Sequence, residues 1–226
     1  MSNNKDEEML TGGNVSKVFR SGDTVWRELK PTSYKIQKLL NQLENKGYSY
    51  APKFLGIDEK GGKILSYIEG EASNYPLKEY MWSDNVLIEL AKMLRLYHDS
   101  VSDFPFDNSW QSIDYTPKQF EVICHNDFAM YNIIFHHEKP AGIIDFDFAG
   151  PGPRLWDIAY TLYTCVPFSR FYLSEIGEEV QYSTLKHASH TKRSFRLFFE
   201  SYGERIKVIY MEKTFVKTAI YTLELV

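Results

Sequence analysis

His125-Asn126-Asp127-Phe128-Ala129-Met130-Tyr131-Asn132 is followed, thirteen residues after Asn132, by Asp145 within Ile143-Ile144-Asp145-Phe146-Asp147. Short apolar runs surround these residues: Val122 to Cys124 before the loop, then Ile133 to Phe135 and Ala141 to Ile144, with 136–140 as the turn between the last two. The spacing predicts a loop followed by a hairpin that folds back and returns Asp145 beside Asn132. Carboxylate and carboxamide oxygens are hard donors suited to Mg²⁺, which takes one or two protein oxygens and completes its shell with water and phosphate. Asp127 is then free to accept a proton from a hydroxyl. His125, two residues earlier, reads as a brace for the loop. Metal, base and little covalent chemistry are the parts that phosphoryl transfer needs.

Upstream, the chain reads as a small, mostly antiparallel sheet carrying one helix. Turn signals at Gly12-Gly13-Asn14 and Ser21-Gly22-Asp23 separate short apolar runs, and a second strand pair, Phe54 to Ile57 and Lys63 to Ile68, is joined through Gly61-Gly62. Between them Ile36, Leu39, Leu40 and Leu43 recur at helical spacing, with Ser33 as N-cap and Gly47 as C-terminal cap. Downstream, Leu87, Leu90, Leu94 and Tyr97 mark a helix starting near Ser83, and residues 155–226 read as helices, one carrying Phe195, Phe198, Phe199 and Tyr202. The expected class is α+β: a β-rich lobe over residues 1–70, a connector near 66–76 and a mainly helical lobe over 71–226. Clefts between such lobes are common ligand sites.

The chain has 226 residues, enough for one large domain or two lobes with a real core. Its 26 Lys and Arg against 30 Asp and Glu leave a net charge of −4, with no electrostatic footprint for nucleic acid. The opening MSNNKDEEML lacks the apolar run of a signal peptide, and no stretch is long and apolar enough to span a bilayer. Cys124 and Cys165 have no metal-ligand spacing and read as reduced core residues. A cytoplasmic protein with no membrane partner is expected. His136-His137 reads as a solvated turn whose rings point apart, His98 as a hydrogen-bonded helix-end histidine, and the first eight residues as a tail.

HNDFAMYN followed by IIDFD resembles the motifs of the aminoglycoside phosphotransferase and choline kinase-like family, and the trailing GPGPRLWDIAYTLY is similar to that family's next helix. The resemblance runs from about Leu10 to Pro167. It implies a two-lobed protein-kinase-like fold and Mg²⁺-dependent transfer of the γ-phosphoryl group of ATP (or GTP) to a small-molecule hydroxyl. It also implies roles. Asp127 resembles the catalytic base, Asn132 and Asp145 the Mg²⁺ ligands, and Asp157 the helix carboxylate that holds the catalytic loop. Ser16, in the 12–16 turn, and Arg27 fall where the family places its phosphate contacts. Ser66, Tyr67 and Ile68 fall on the connector that meets the nucleotide base.

Departures from the family pattern are concrete. There is no G-x-G-x-x-G, Arg27 stands where Lys is expected, and Glu44 is the one candidate for its partner on the helix. Asp147 replaces the Gly of the protein-kinase triplet and is read either as a second metal carboxylate or as facing the acceptor. Two other readings compete. A kinase-like protein that binds nucleotide but transfers little is suggested by Arg27. A haloacid dehalogenase-type phosphatase is suggested by Asp145-Phe146-Asp147, although that fold needs alternating strands and helices downstream.

Overall fold

The computed structural model describes residues 8–10, 18–59, 61–166, 171–181 and 184–203. Five strands form the first sheet: β1 (Glu8–Met9), β2 (Val18–Ser21), β3 (Thr24–Glu28), β4 (Phe54–Ile57) and β5 (Gly62–Ser66). Their order is β1-β2-β3-β5-β4, with neighbours antiparallel, and Arg27 lies directly opposite Lys63. Helix α1 (Ser33–Asn45) buries Ile36, Leu39, Leu40 and Leu43. It ends as the sequence predicts. Gly47 has φ of 75°, and the N–H groups of Tyr48 and Gly47 close onto the carbonyls of Leu43 and Glu44, which satisfies the last turn.

The helix start differs from the prediction. Thr32 is the N-cap, and Ser33 is the first helical residue, its Oγ accepting from the Lys30 N–H. The strand predicted to reach Ile68 ends at Ser66, and one further bond, from the Tyr67 N–H to the carbonyl of Asp23, continues its pairing with β3. Glu8 is no longer tail: Glu8 and Met9 pair with Arg20 and Phe19.

The connector adds a strand that the sequence reading did not foresee. β6 (Glu71–Ala72) pairs antiparallel with β8 (Ile133–His136), which pairs with β9 (Lys139–Ile143). Gly70 permits this. Its φ is 140°, and a Cβ there would lie 2.3 Å from the carbonyl oxygen of Phe135, so no side chain fits between the connector and the hairpin.

Helix α2 (Asp84–Ser100) starts at Ser83, whose Oγ accepts from the Val86 N–H, and buries the predicted face of Leu87, Leu90, Leu94 and Tyr97. β7 (Val122–Cys124) pairs with β10 (Gly150–Gly152), ahead of α3 (Arg154–Cys165). A hairpin, β11 (Phe171–Leu173) with β12 (Glu179–Gln181), corrects the expectation of helices alone after Leu155. Helix α4 (Thr184–Tyr202) then buries Phe198, Phe199 and Tyr202. The predicted segment at 206–209 and the 12–16 turn lie outside the described residues.

Every strand pair described is antiparallel, unlike the alternating layout the phosphatase reading requires. At the tip of the β8–β9 hairpin the rings of His136 and His137 meet edge to face at 4.0 Å, instead of pointing apart. Positive φ at His137 and Glu138 makes this a tight turn and brings the rings together. Gly70→Ala is expected to cost about 2 kcal/mol by overpacking against Phe135. That lowers the thermal midpoint by roughly 4–8 °C, measurable by differential scanning fluorimetry.

Candidate active site

The loop after β7 is held from below by one carboxylate. Asp157, fully buried on α3, accepts from the backbone N–H groups of His125 and Asn126, each at 2.7 Å. Its Oδ2 also meets His98 Nε2 at 3.1 Å, and His98 Nδ1 meets the Tyr202 hydroxyl at 2.7 Å. With Nε2–H donating to Asp157, Nδ1 accepts from Tyr202, so one tautomer satisfies both contacts. Asn126 adopts φ of 64° and donates from Nδ2 to the Phe148 carbonyl at 2.9 Å, which joins the loop to the segment after Asp145.

His125 braces the loop from inside. It is buried, 4.5 Å from the Phe146 ring centroid, and its Nδ1 accepts from the Asp127 N–H at 3.3 Å. Burial lowers its pKa and outweighs the nearby carboxylates of Asp157, Asp127 and Asp145, which act the other way.

Asp127 is therefore fixed at its backbone, and its carboxylate is fixed as well. Asn132 Nδ2 donates to Oδ2 at 2.7 Å and to the Asp127 carbonyl at 3.0 Å. Tyr131 donates its hydroxyl to Oδ1 and shares a 2.8 Å hydrogen bond with the Tyr160 hydroxyl on α3. Burial and the bond to Asp127 push the Tyr131 phenol well above its ordinary range, and burial raises Tyr160 to about 12.

Asp145 returns beside this loop as the hairpin spacing predicts: Ile133 pairs with Ile143, and the Ile144 N–H bonds the Asn132 carbonyl at 3.0 Å. Asp145 is left-handed (φ 64°, ψ 67°), a conformation that non-glycine residues adopt where the surroundings impose it, often at functional sites. Its carboxylate is about one-third exposed and faces Arg27, with Nη1 to Oδ1 at 3.4 Å. Because Asn132 commits its amide N–H₂ to Asp127, its Oδ1 is directed elsewhere. Asn132 and Asp145 thus offer oxygen donors from adjoining strand ends, a set that fits Mg²⁺. Among the described residues no group of three or more His, Cys, Asp or Glu gathers that could hold a metal ion by itself, so this pair would rely on water and phosphate to complete the shell.

Asp147, read from the sequence as a second metal carboxylate or as facing the acceptor, has ion-pair partners on the sheet side. It faces three cations: Lys30 at 2.6 Å, Lys63 at 3.3 Å and Arg27 at 3.5 Å. Burial opposes its charge, but these cations prevail and hold its pKa below the carboxylate range. Lys63 is 3% exposed, and burial lowers its pKa despite Asp147. Glu44 pairs instead with Lys53 at 2.9 Å, so it is not the partner of Arg27.

Along the connector, Ser66 exchanges bonds with Lys53 through both its N–H and Oγ, and the Tyr67 N–H is taken by Asp23. The guanidinium of Arg20 lies over the Tyr67 ring, 3.7 Å from its centroid. Among the described residues, Ile68 is the one of the three whose N–H makes no hydrogen bond, and its side chain packs over Gly142. Ser16 lies outside the described residues. Sequence reasoning did not single out Lys30, Lys63, Tyr131 or Tyr160. Cross-strand register with Arg27 could have indicated Lys63.

The phosphotransferase enzyme family model matches residues 82–189, which include the loop, the hairpin and α3. A trifolitoxin immunity protein of Rhizobium leguminosarum bv. trifolii is 32% identical over 206 residues, covering 88% of this chain and 74% of that protein. An amicoumacin kinase solved in complex with AMP-PNP, Ca²⁺ and Ami superposes with a TM-score of 0.67 at 13% identity, over 93% of this chain and 76% of that one. A streptomycin–ATP ternary complex of an aminoglycoside phosphotransferase gives 0.61 at 18% identity, over 97% and 84%. An aminoglycoside phosphotransferase from Streptomyces rimosus gives 0.56 at 15% identity, over 91% and 88%. The fold is the two-lobed, protein-kinase-like one, as the residues around Asp127 led us to expect.

Two measurements check this electrostatic account. Asp147→Ala leaves Lys63 buried without its carboxylate and is expected to cost about 3–5 kcal/mol in urea denaturation; pairing it with Lys63→Met recovers part of that loss. The lowered pKa of His125 means that the unfolded chain takes up a proton first as pH falls below about 6.5, the ordinary value. Stability is thus lost below that pH, down to the folded pKa. His125→Asn is expected to show a shallower loss than the parent chain between pH 7.5 and 5.5.

Proposed function

Because the chain belongs to the phosphotransferase enzyme family, we propose that it transfers the γ-phosphoryl group of ATP (or GTP) to a hydroxyl of a small molecule. The observation that carries this is the convergence of Asp127, Asn132 and Asp145 on one loop and hairpin, with Asp145 left-handed and facing Arg27 from the sheet. Asp127 orients the acceptor hydroxyl and takes its proton as the acceptor oxygen bonds to the γ-phosphorus and the bond to the β-phosphate oxygen breaks. Asn132 and Asp145 hold Mg²⁺, which when bound neutralises charge on the phosphates. Arg27 supplies positive charge from β3, Ser16 keeps the phosphate-contact role that the family resemblance implies, and the connector at Ser66, Tyr67 and Ile68 meets the base, with Ile68 offering the uncommitted backbone donor.

Asp147 is assigned to neither metal nor acceptor. It stands in for the missing helix glutamate by holding Arg27 and Lys63 in place from the segment after Asp145. The division into residues 1–70 and 71–226 follows from this reading, with the acceptor bound on the second. An aminoglycoside-like, amino-alcohol-like or sugar-like acceptor heads the candidates, and the name of the Rhizobium relative, a toxin immunity protein, adds a toxin to them. No described helix is long and apolar enough to cross a membrane. Cys124 and Cys165 are free and buried, which suits the reducing cytoplasm.

Thermal unfolding with ATP, with and without Mg²⁺, tests the nucleotide site. Ligand at about a hundred times its dissociation constant stabilises by roughly 2.7 kcal/mol, a rise of roughly 5–10 °C for a chain this long. The rise is expected to need the metal and to shrink in Asp145→Asn. In an acceptor screen, Asp127→Asn is expected to lower transfer by roughly 10²–10⁴-fold. Full turnover in Asp145→Asn would overturn the metal assignment, and no shift with either nucleotide would favour a degenerate kinase-like protein.

A further inference from the structure

The Asp127 carboxylate leaves little room for a casual nucleophile. Oδ2 is taken by Asn132 Nδ2 at 2.7 Å, and Oδ1 by the Tyr131 hydroxyl. Tyr131 sits in the short 3-10 turn Met130–Asn132, between two buried residues, so the backbone that carries the ring is fixed. Its oxygen is fixed as well. With the Tyr131 proton directed to Asp127, Tyr160 is the donor in the 2.8 Å bond between the two phenols. The result is a chain of hydroxyls, Tyr160 to Tyr131 to Asp127, that ends on the oxygen where an acceptor hydroxyl would deliver its proton.

Resting on the phosphotransferase reading above, we propose that Tyr131 caps the catalytic base: its hydroxyl occupies Asp127 Oδ1 and keeps water from using that oxygen until an acceptor displaces it. An intramolecular donor held by its own turn and by a second phenol competes with water at high effective concentration. A multiply bonded acceptor can displace it, whereas a water molecule has no further contacts to offset the lost hydrogen bond. Displacement is sterically open, since Tyr131 is 37% exposed. Tyr131 is thus a positioning residue that favours transfer to the acceptor over hydrolysis of the nucleotide.

The test needs Mg-ATP alone, with no acceptor identified. Tyr131→Phe keeps the ring and removes the hydroxyl, and is expected to raise acceptor-free ATP hydrolysis roughly tenfold, the weight of one hydrogen bond to a charged group. Its Mg-ATP-dependent thermal shift stays at the parent value. Tyr160→Phe gives a smaller rise in the same direction. Adding Asp127→Asn to Tyr131→Phe returns hydrolysis to the level of Asp127→Asn alone, which shows that the water was activated by the base. A merely structural tyrosine would lower hydrolysis or leave it unchanged. Hydrolysis in Tyr131→Phe at or below the parent rate, with the thermal shift intact, overturns the cap and leaves the phosphotransferase reading standing. A parent chain that Mg-ATP does not stabilise removes both.

Discussion

The carboxylate of Asp157 ties more of this molecule together than any other side chain described. Fully buried, it receives two backbone N–H groups of the loop that carries Asp127 and a histidine from α2, which is itself bonded to a tyrosine at the end of α4. Two consecutive N–H groups aimed at one carboxylate fix the direction in which the chain leaves β7. Asn126 can then take its left-handed conformation, since the bonds to Asp157 and to Phe148 compensate the backbone cost. Removing the carboxylate would leave buried donors unsatisfied on two elements at once, so the position of Asp127 depends on a residue thirty positions downstream.

A second constraint joins the sheet to the hairpin. Lys63 is placed opposite Arg27 by the β3–β5 register, and both are cations on the inner face of the same sheet. Two such groups side by side, one nearly inaccessible, require a negative partner. No residue of α1 provides one, since Glu44 lies at the far end and is bound to Lys53. Asp147 does so from the other side of the cleft, with Lys30 completing the cluster. The residue that replaces glycine after Asp145-Phe146 is therefore an ion-pair partner between the two halves of the molecule. The Asp145 carboxylate stays more exposed than its neighbour, 35% against 11% for the side chain of Asp147.

What could be read in the sequence followed the range of the interactions involved. Periodicity sufficed for α1 and α2, because their buried stripes are local. The return of Asp145 to Asn132 was legible because a hairpin of fixed length joins them. The pairings of β6 with β8 and β7 with β10 were not, since each links segments far apart in sequence through only two or three residues. Charge told the same story. Lys30 and Lys63 are unremarkable one by one, Asp147 stood out only as a departure from the family pattern, and their encounter depends on register across two strands and on the turn after Asp145. Tyr131 lay inside the decisive motif, but its hydroxyl acquires a partner only once α3 brings Tyr160 to it.

The two carboxylates of the cleft differ in a way that sorts their work. Asp127 is surrounded by neutral donors, an amide and a phenol, with no cation on it among the described contacts. Asp145 faces a guanidinium at the mouth of the cleft and keeps oxygen surface toward solvent. A carboxylate whose oxygens are held by neutral donors can exchange one of them for an incoming hydroxyl. One beside a fixed cation and open to solvent is better suited to neutralising further positive charge and contacting phosphate-bound metal. Neither environment is a property of aspartate itself. Each follows from the element opposite, α3 for one and β3 for the other, so the fold gives two chemically identical side chains the different surroundings on which the proposed division between base and metal ligand rests.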